Sequence, residues 1–377
     1  MNERIVVLGA GFGGLELATM LSETLGEDAR VTVIDKSDAF VFGFSKLDIM
    51  FRGAAPDSVR MYYRDLAKPG VRVLRETITA IDPAARTVLT DAGTHAADVL
   101  VIALGADYDM DATPGLAEAG NEFYSVAGAE RLAGVIPSFS RGHAVIGICG
   151  APFKCPPAPS ECALMLDDEL TARGVRDACE ISIVMPLGTP VPPSPETSAA
   201  LEGEFAARGI KLLSGRRVAA LDGSRGQVVL DDDSELPFDL FLGVPRHRAP
   251  DVVISSGMTE DGYIPVDFAT LATRYPGVYA VGDVATAGVP KAGVFAEGAA
   301  RVVARTVVSQ LRGGEPPERH LGRGTCYIEF GEGRIGSVDI DFLSGPIKTG
   351  TFNAPSAQQM ALKERFGSSR RARWFGV

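Results

Sequence analysis

The segment Gly9-Ala10-Gly11-Phe12-Gly13-Gly14 constrains this chain more than any other. A short apolar run, Arg4 to Leu8, precedes it, and a helical pattern, Leu15 to Leu25, follows. Val31 to Ile34 then reads as a second strand closed by Asp35. Strand, glycine loop, helix and acid-terminated strand make a βαβ unit of about 30 residues, the length that binds dinucleotides. The glycines do different things. Gly9 permits the turn, Gly11 lets backbone approach a pyrophosphate, and Gly14 lets helix pack on strand. The helix N-terminus then faces the phosphates. Asp35, with Lys36 beside it, is expected to hold a ribose.

The rest of the chain repeats this plan. Val99 to Leu104 is a continuous apolar run, as in a strand buried on both faces. His143 to Ile148, Ser160 to Arg173 and Ile181 to Met185 form a second strand, helix and strand. The expected class is α/β, with two Rossmann-like dinucleotide-binding domains, the first discontinuous, and a small C-terminal α+β region. The expected boundaries are 1–110 and 244–315 for the first domain, 111–243 for the second and 316–377 for the C-terminal region.

Composition narrows the function classes. The formal net charge is −11, which argues against a nucleic-acid partner. No apolar run approaches the roughly 20 residues of a membrane span. No basic segment precedes the first apolar run, so no signal peptide is read and a cytoplasmic location is the default. Five cysteines spread through the chain are no secreted disulfide framework. Cys149, Cys155 and Cys162 lack zinc-site spacing, and His95, His143, His247 and His320 form no ligand motif, so no metal is expected.

The second nucleotide loop looks damaged. Gly147 to Pro157 loses its third glycine and gains prolines and Cys155. The strand ending at Met185 lacks an acid for a ribose 2′-hydroxyl. Little use of NADH or NADPH is expected. Cys155, before a helix and behind Lys154, is expected to have a lowered thiol pKa. Cys149 and Cys162 read as small buried hydrophobes, and Cys179 as incidental.

Thr273 to Asp283 resembles the second FAD motif of flavoproteins with two dinucleotide domains, and Ala103-Leu104-Gly105 resembles their Ala-Thr-Gly turn. Lys154 to Glu161, Thr325-Cys326-Tyr327, Val244 to Pro250 and Pro290 to Glu297 are similar to segments of sulfide:quinone oxidoreductases and flavocytochrome c sulfide dehydrogenases. The resemblance implies FAD at Gly9, Gly11, Gly14, Asp35, Gly105, Gly282, Asp283 and Lys291. It implies a Cys155–Cys326 redox disulfide, opened by sulfide or another small sulfur nucleophile to a persulfide, with two electrons passing through flavin to a quinone or other acceptor. Some relatives attach flavin covalently through a cysteine near position 42; Val41 to Phe44 has none, so FAD is expected to be non-covalent. Glu297 is expected to handle quinone protons, and Phe295, Phe330 and Phe342 are candidate acceptor walls or plain core. The end, with Arg370, Arg371, Arg373, Trp374 and Phe375, reads equally as a solvated tail or as a peripheral contact with anionic lipid. A type II NADH dehydrogenase-like enzyme and a flavin-bearing redox sensor with little turnover are the competing readings. The oligomeric state, a homodimer included, stays open.

Overall fold

The structure is a computed structural model that describes residues 3–315 and 317–376; Pro316 of the expected linker and Val377 of the tail lie outside the described residues. The first strand, Ile5–Leu8, is buried at every position and pairs in parallel with Val31–Asp35 on one side and Val99–Ile102 on the other. Two-sided burial explains its all-apolar sequence. Val71–Arg75 adds the outer edge beyond Val31–Asp35. Val278–Ala280, far along the chain, completes this five-stranded sheet beside Val99–Ile102. The glycine loop and the second FAD-like motif therefore belong to one sheet.

The second unit is a four-stranded parallel sheet in the spatial order Ile210–Ser214, Cys179–Met185, Gly142–Ile148, Leu240–Val244. A small antiparallel pair, Asp107–Asp109 with Arg246–Arg248, joins the two crossings between the units. Each parallel sheet has a separate three-stranded antiparallel appendage, 78–96 and 218–237. Val71–Arg75 edges the main sheet, while Thr87–Thr90 lies in the appendage.

The proline-rich stretch Pro190 to Pro195 reads as a loop in the sequence, and its end is a helix start. Ser194 caps Pro195–Arg208, with proline at a position where a missing N–H costs nothing. The long helix Gly293–Arg312 packs along Phe12–Leu25. Arg323–Glu329, Ile335–Asp341 and Thr349–Asn353 then form an antiparallel sheet, followed by the helix Ala357–Arg370.

The aromatic end is not a solvated tail: its two rings pack into the fold. Trp374 is fully buried and Phe375 nearly so. The Trp374 ring meets Phe12 and Phe40 edge-on at 5.7 and 5.5 Å, and its Nε1 donates to Glu16 at 2.9 Å. Arg373 pairs with Glu16 and Glu23 on the first helix, and Arg370 pairs with Glu297 on Gly293–Arg312. No helix among the described residues is long and apolar enough to cross a membrane.

Candidate functional site

Sterics alone explain the glycine loop. Gly9 has φ +98°, and a Cβ there would stand 2.4 Å from the Ala103 carbonyl oxygen. A Cβ on Gly14 would fall 1.9 Å from the Gly9 oxygen. Gly14 therefore sets the approach of helix to strand and does not line the cavity. A Cβ on Gly11 would meet nothing within 4 Å, because this glycine faces the open cavity. Asp35 accepts from the amides of Ala10 and Ser37, both at 2.8 Å, which ties the acid to the loop while it lines the same cavity. Lys36, one residue past the end of the strand Val31–Asp35, is exposed in the bend that follows and outside the cavity lining, contrary to expectation.

Residues from the far end of the chain close the cavity. Gly105 and Gly282, with φ +69° and +78°, line it together with Asp283 and Lys291. The Lys291 ammonium donates to the Asp283 carbonyl and lies 3.5 Å from the Tyr263 ring centroid. Burial lowers Lys291 to about 8, partly offset by Asp283. Burial raises the Asp283 carboxyl, opposed by Lys154, Lys291 and Lys46. This donor set fits FAD: open space over Gly11 beside a helix N-terminus for pyrophosphate, Asp35 for a ribose, and Gly282-Asp283 at the opposite end.

Cys155 and Cys326 line the same cavity, with Lys46 and Glu161. Cys155 stands in the left-handed region at φ +48°, an uncommon conformation for a residue with a side chain. Its amide donates to the Lys291 carbonyl at 2.8 Å, and its carbonyl accepts from Ala158, the first residue of the helix Ala158–Ala172. Cys326 comes from the strand Arg323–Glu329. Both are free thiols. Cys149, Cys162 and Cys179 are buried in the packing of the second unit.

The expected low Cys155 pKa is overturned. Burial pushes this thiol up, and Glu161 and Cys326 push the same way; Lys46 opposes them. Lys154, the residue expected to help, points elsewhere: its ammonium donates to the Ala106 carbonyl at 2.8 Å and lies 4.3 Å from the Tyr108 ring centroid. Cys326 is raised to about 12 by burial, with Glu161 contributing.

Glu161 joins the site without having been a candidate from sequence. An acid on an otherwise apolar helix face, six residues after the cysteine, is the signal that could have found it. Its Oε1 accepts from the Glu329 amide at 3.0 Å, and burial raises the carboxyl to about 7, Lys363 opposing.

Glu297 moves out of the site. It is buried against Arg370, 2.7 Å from its Nη2, and faces Arg301; it does not line the cavity. Phe295, Phe330 and Phe342 are buried core and not cavity walls. Phe44, Tyr327 and Phe366 line the cavity instead.

The second loop offers few free groups to a nucleotide. The Phe241 ring stands 2.5 Å from where a Cβ on Gly147 would be, and the Cys149 amide is spent on the Val244 carbonyl. His247, beyond that strand, is buried, and burial lowers it to about 3, with Lys154 the next cause.

The sequence is 27% identical to the sulfide-quinone reductase of Aquifex aeolicus, covering 88% of this chain and 82% of the relative. It is 23% identical to the mitochondrial sulfide:quinone oxidoreductase of Mus musculus, covering 93% and 80%. The fold matches the solved Aquifex aeolicus sulfide:quinone oxidoreductase with a TM-score of 0.86 over all of this chain and 93% of that one, at 22% identity. It also matches the NDH2 of Plasmodium falciparum at a TM-score of 0.76, at 11% identity, over all of this chain and 97% of that one. The model of the family described as pyridine nucleotide-disulphide oxidoreductase matches residues 3–301, and the chain belongs to that family.

Proposed function

We propose that this protein is an FAD-dependent sulfide-oxidising enzyme that works through Cys155 and Cys326 and delivers electrons to a quinone-like acceptor. One observation carries the reading: two thiols 171 positions apart line the cavity that the dinucleotide loop also lines. FAD, held without a covalent bond, would supply two-electron chemistry between the sulfur pair and the acceptor.

In the oxidised pair, hydrosulfide attacks one sulfur. A new S–S bond gives a persulfide, the Cys155–Cys326 bond breaks, and the other sulfur leaves as thiolate. Release of zero-valent sulfur as the pair closes again gives up two electrons. Glu161, raised to about 7, is placed to take the proton of a neutral sulfur nucleophile, because its charge is felt at both thiols. The rings of Phe44, Tyr327 and Phe366 form an apolar wall that suits a planar acceptor, with centroids 6.5 Å (Phe44 to Phe366) and 5.9 Å (Tyr327 to Phe366) apart. A quinone dissolved in lipid would bring the protein to a membrane surface as a peripheral partner.

The reading is tested by anaerobic rapid mixing. Sulfide should bleach the flavin and added quinone should restore it. Rapid bleaching by NADH instead would favour the NADH dehydrogenase reading. Slow bleaching by both would favour a redox sensor.

A further inference from the structure

A cation so far given no role lines the same cavity as the reactive cysteine. Lys46 is the second residue of the short helix Ser45–Phe51, two residues past the Val41 to Phe44 segment. It lines the cavity with Cys155, Glu161 and Asp283. Its backbone amide bonds to the Gly43 carbonyl. Its ammonium has no hydrogen bond or ion pair among the described residues, unlike Lys154, Lys291 and Lys363, which also line the cavity and each donate to a protein oxygen. Placing an unpaired ammonium among apolar rings is costly, and the cost is offset only when an anion arrives.

We propose that Lys46 is the positioning residue for the Cys155 thiolate: its ammonium stabilises the sulfur anion that forms at Cys155 when the sulfur pair is opened or reduced. The charges around Lys46 divide into two groups. Lys154 repels it, while Cys155, Glu122 and Asp283 attract it, Cys155 the most of these three. At Cys155 itself the carboxylates of Glu161 and Asp283 and the Cys326 thiol all oppose ionisation, and Lys46 is the cation that favours it. Lys154 has already turned its ammonium to the Ala106 carbonyl. The role also follows from the chemistry of the pair. Opening an S–S bond puts negative charge on the leaving sulfur, and a nearby cation makes that sulfur a better leaving group. Burial lowers Lys46 to about 8, so the ammonium persists through neutral pH and loses its proton above it.

The Lys46 role rests on the sulfide reading, yet its test does not depend on sulfide turnover. FAD-loaded protein carrying Cys326→Ser would be treated with iodoacetamide at pH 7, where the Lys46 ammonium is charged, with the rate of Cys155 modification read by peptide mass. Lys46→Met should slow this alkylation about tenfold, the scale of an opposite charge removed from close range. Lys46→Arg should hold the rate near that of the parent. The flavin spectrum checks that each variant is folded and loaded. An unchanged rate in Lys46→Met would overturn the proposal, and so would equal slowing in the Met and Arg variants. An altered flavin reduction potential with an unchanged alkylation rate would assign Lys46 to the flavin and equally overturn it. Failure of sulfide to bleach the wild-type flavin, with the slowing present, would remove the sulfide substrate and leave the Lys46–Cys155 pairing standing.

Discussion

The amide of Cys155 donates to the carbonyl of Lys291 across 2.8 Å. One bond thus ties the loop that replaced the second nucleotide site to the loop that follows Asp283 in the first unit. The Lys291 ammonium is fixed in turn on the Asp283 carbonyl. A thiol held in the left-handed region by such a tether cannot drift from the cavity without breaking a bond shared with the flavin end.

The sulfur pair yields the first prediction. Cys155→Ser and Cys326→Ser should each abolish rapid flavin reduction by sulfide, because one sulfur must accept the nucleophile while the other leaves. FAD content should stay normal. Cys162→Ala should keep the rate, since Cys162 is fully buried and does not line the cavity. Rapid bleaching that survives either Ser variant would remove that cysteine from the reaction.

Glu161 predicts opposite pH trends in rate and stability. As a base it must be ionised, so the sulfide half-reaction should accelerate as pH rises through about 7, and Glu161→Gln should flatten that rise. Stability runs the other way. Burial lifts the folded carboxyl above its ordinary value of 4.5, so folding favours the protonated form. The contribution is whole below about 4.5 and is lost as pH climbs toward about 7. Glu161→Gln should therefore unfold at a higher temperature than wild type at pH 8, relative to their difference at pH 5. A Tm difference independent of pH would show that Glu161 is not buried as a neutral acid.

The second unit predicts poor use of nicotinamide. With the third glycine of the loop missing and the Cys149 amide occupied, a pyrophosphate lacks its usual partners. Excess NADH in a stopped-flow mixer should reduce the flavin far more slowly than sulfide does. Complete reduction within milliseconds at micromolar NADH would contradict the loop geometry.

Sequence disclosed the parts of this site that depend on backbone sterics. Gly9, Gly14 and Gly282 are readable because nothing else fits their φ or contacts. The convergence of Cys155 and Cys326 is readable only through the resemblance, since no spacing rule brings residues so distant together. What failed depends on where side chains point and how deep they lie. Lys36 is one residue from Asp35 and faces away. Glu297 looks reactive beside Lys291, yet one helical turn carries it to Arg370. A helix terminus suggests an acidic Cys155 thiol, whereas burial outweighs that dipole. Lys46 and Glu161 stay hidden because a lone charge in an apolar segment shows its meaning only when the cavity is assembled.

Glu297 gives a structural prediction in place of a catalytic one. Removing its charge leaves Arg370 facing a neutral amide in a buried pair, a change that costs about 3–5 kcal/mol. Glu297→Gln should lower Tm clearly while flavin reoxidation by quinone proceeds at the wild-type rate. A slowed reoxidation with unchanged Tm would return Glu297 to the proton path.

The C-terminal clasp supports the last prediction. Trp374 fills a site between Phe12 and Phe40, and Phe12 belongs to the glycine loop itself. Trp374→Ala would open a cavity there, at a cost of about 3–5 kcal/mol. The loosened Phe12 would no longer hold the loop in its phosphate-ready shape. FAD should then dissociate faster as well, read as flavin fluorescence appearing after dilution. Trp374→Phe keeps most of the ring packing and loses only the Nε1 bond to Glu16, which retains Arg301 and Arg373, so its effect should be smaller, about 0.5–1.5 kcal/mol. The order wild type, Phe, Ala should hold for both Tm and FAD retention. If Trp374→Ala instead left both unchanged and abolished binding to anionic vesicles, the aromatic end would belong to a lipid surface and not to the flavin domain.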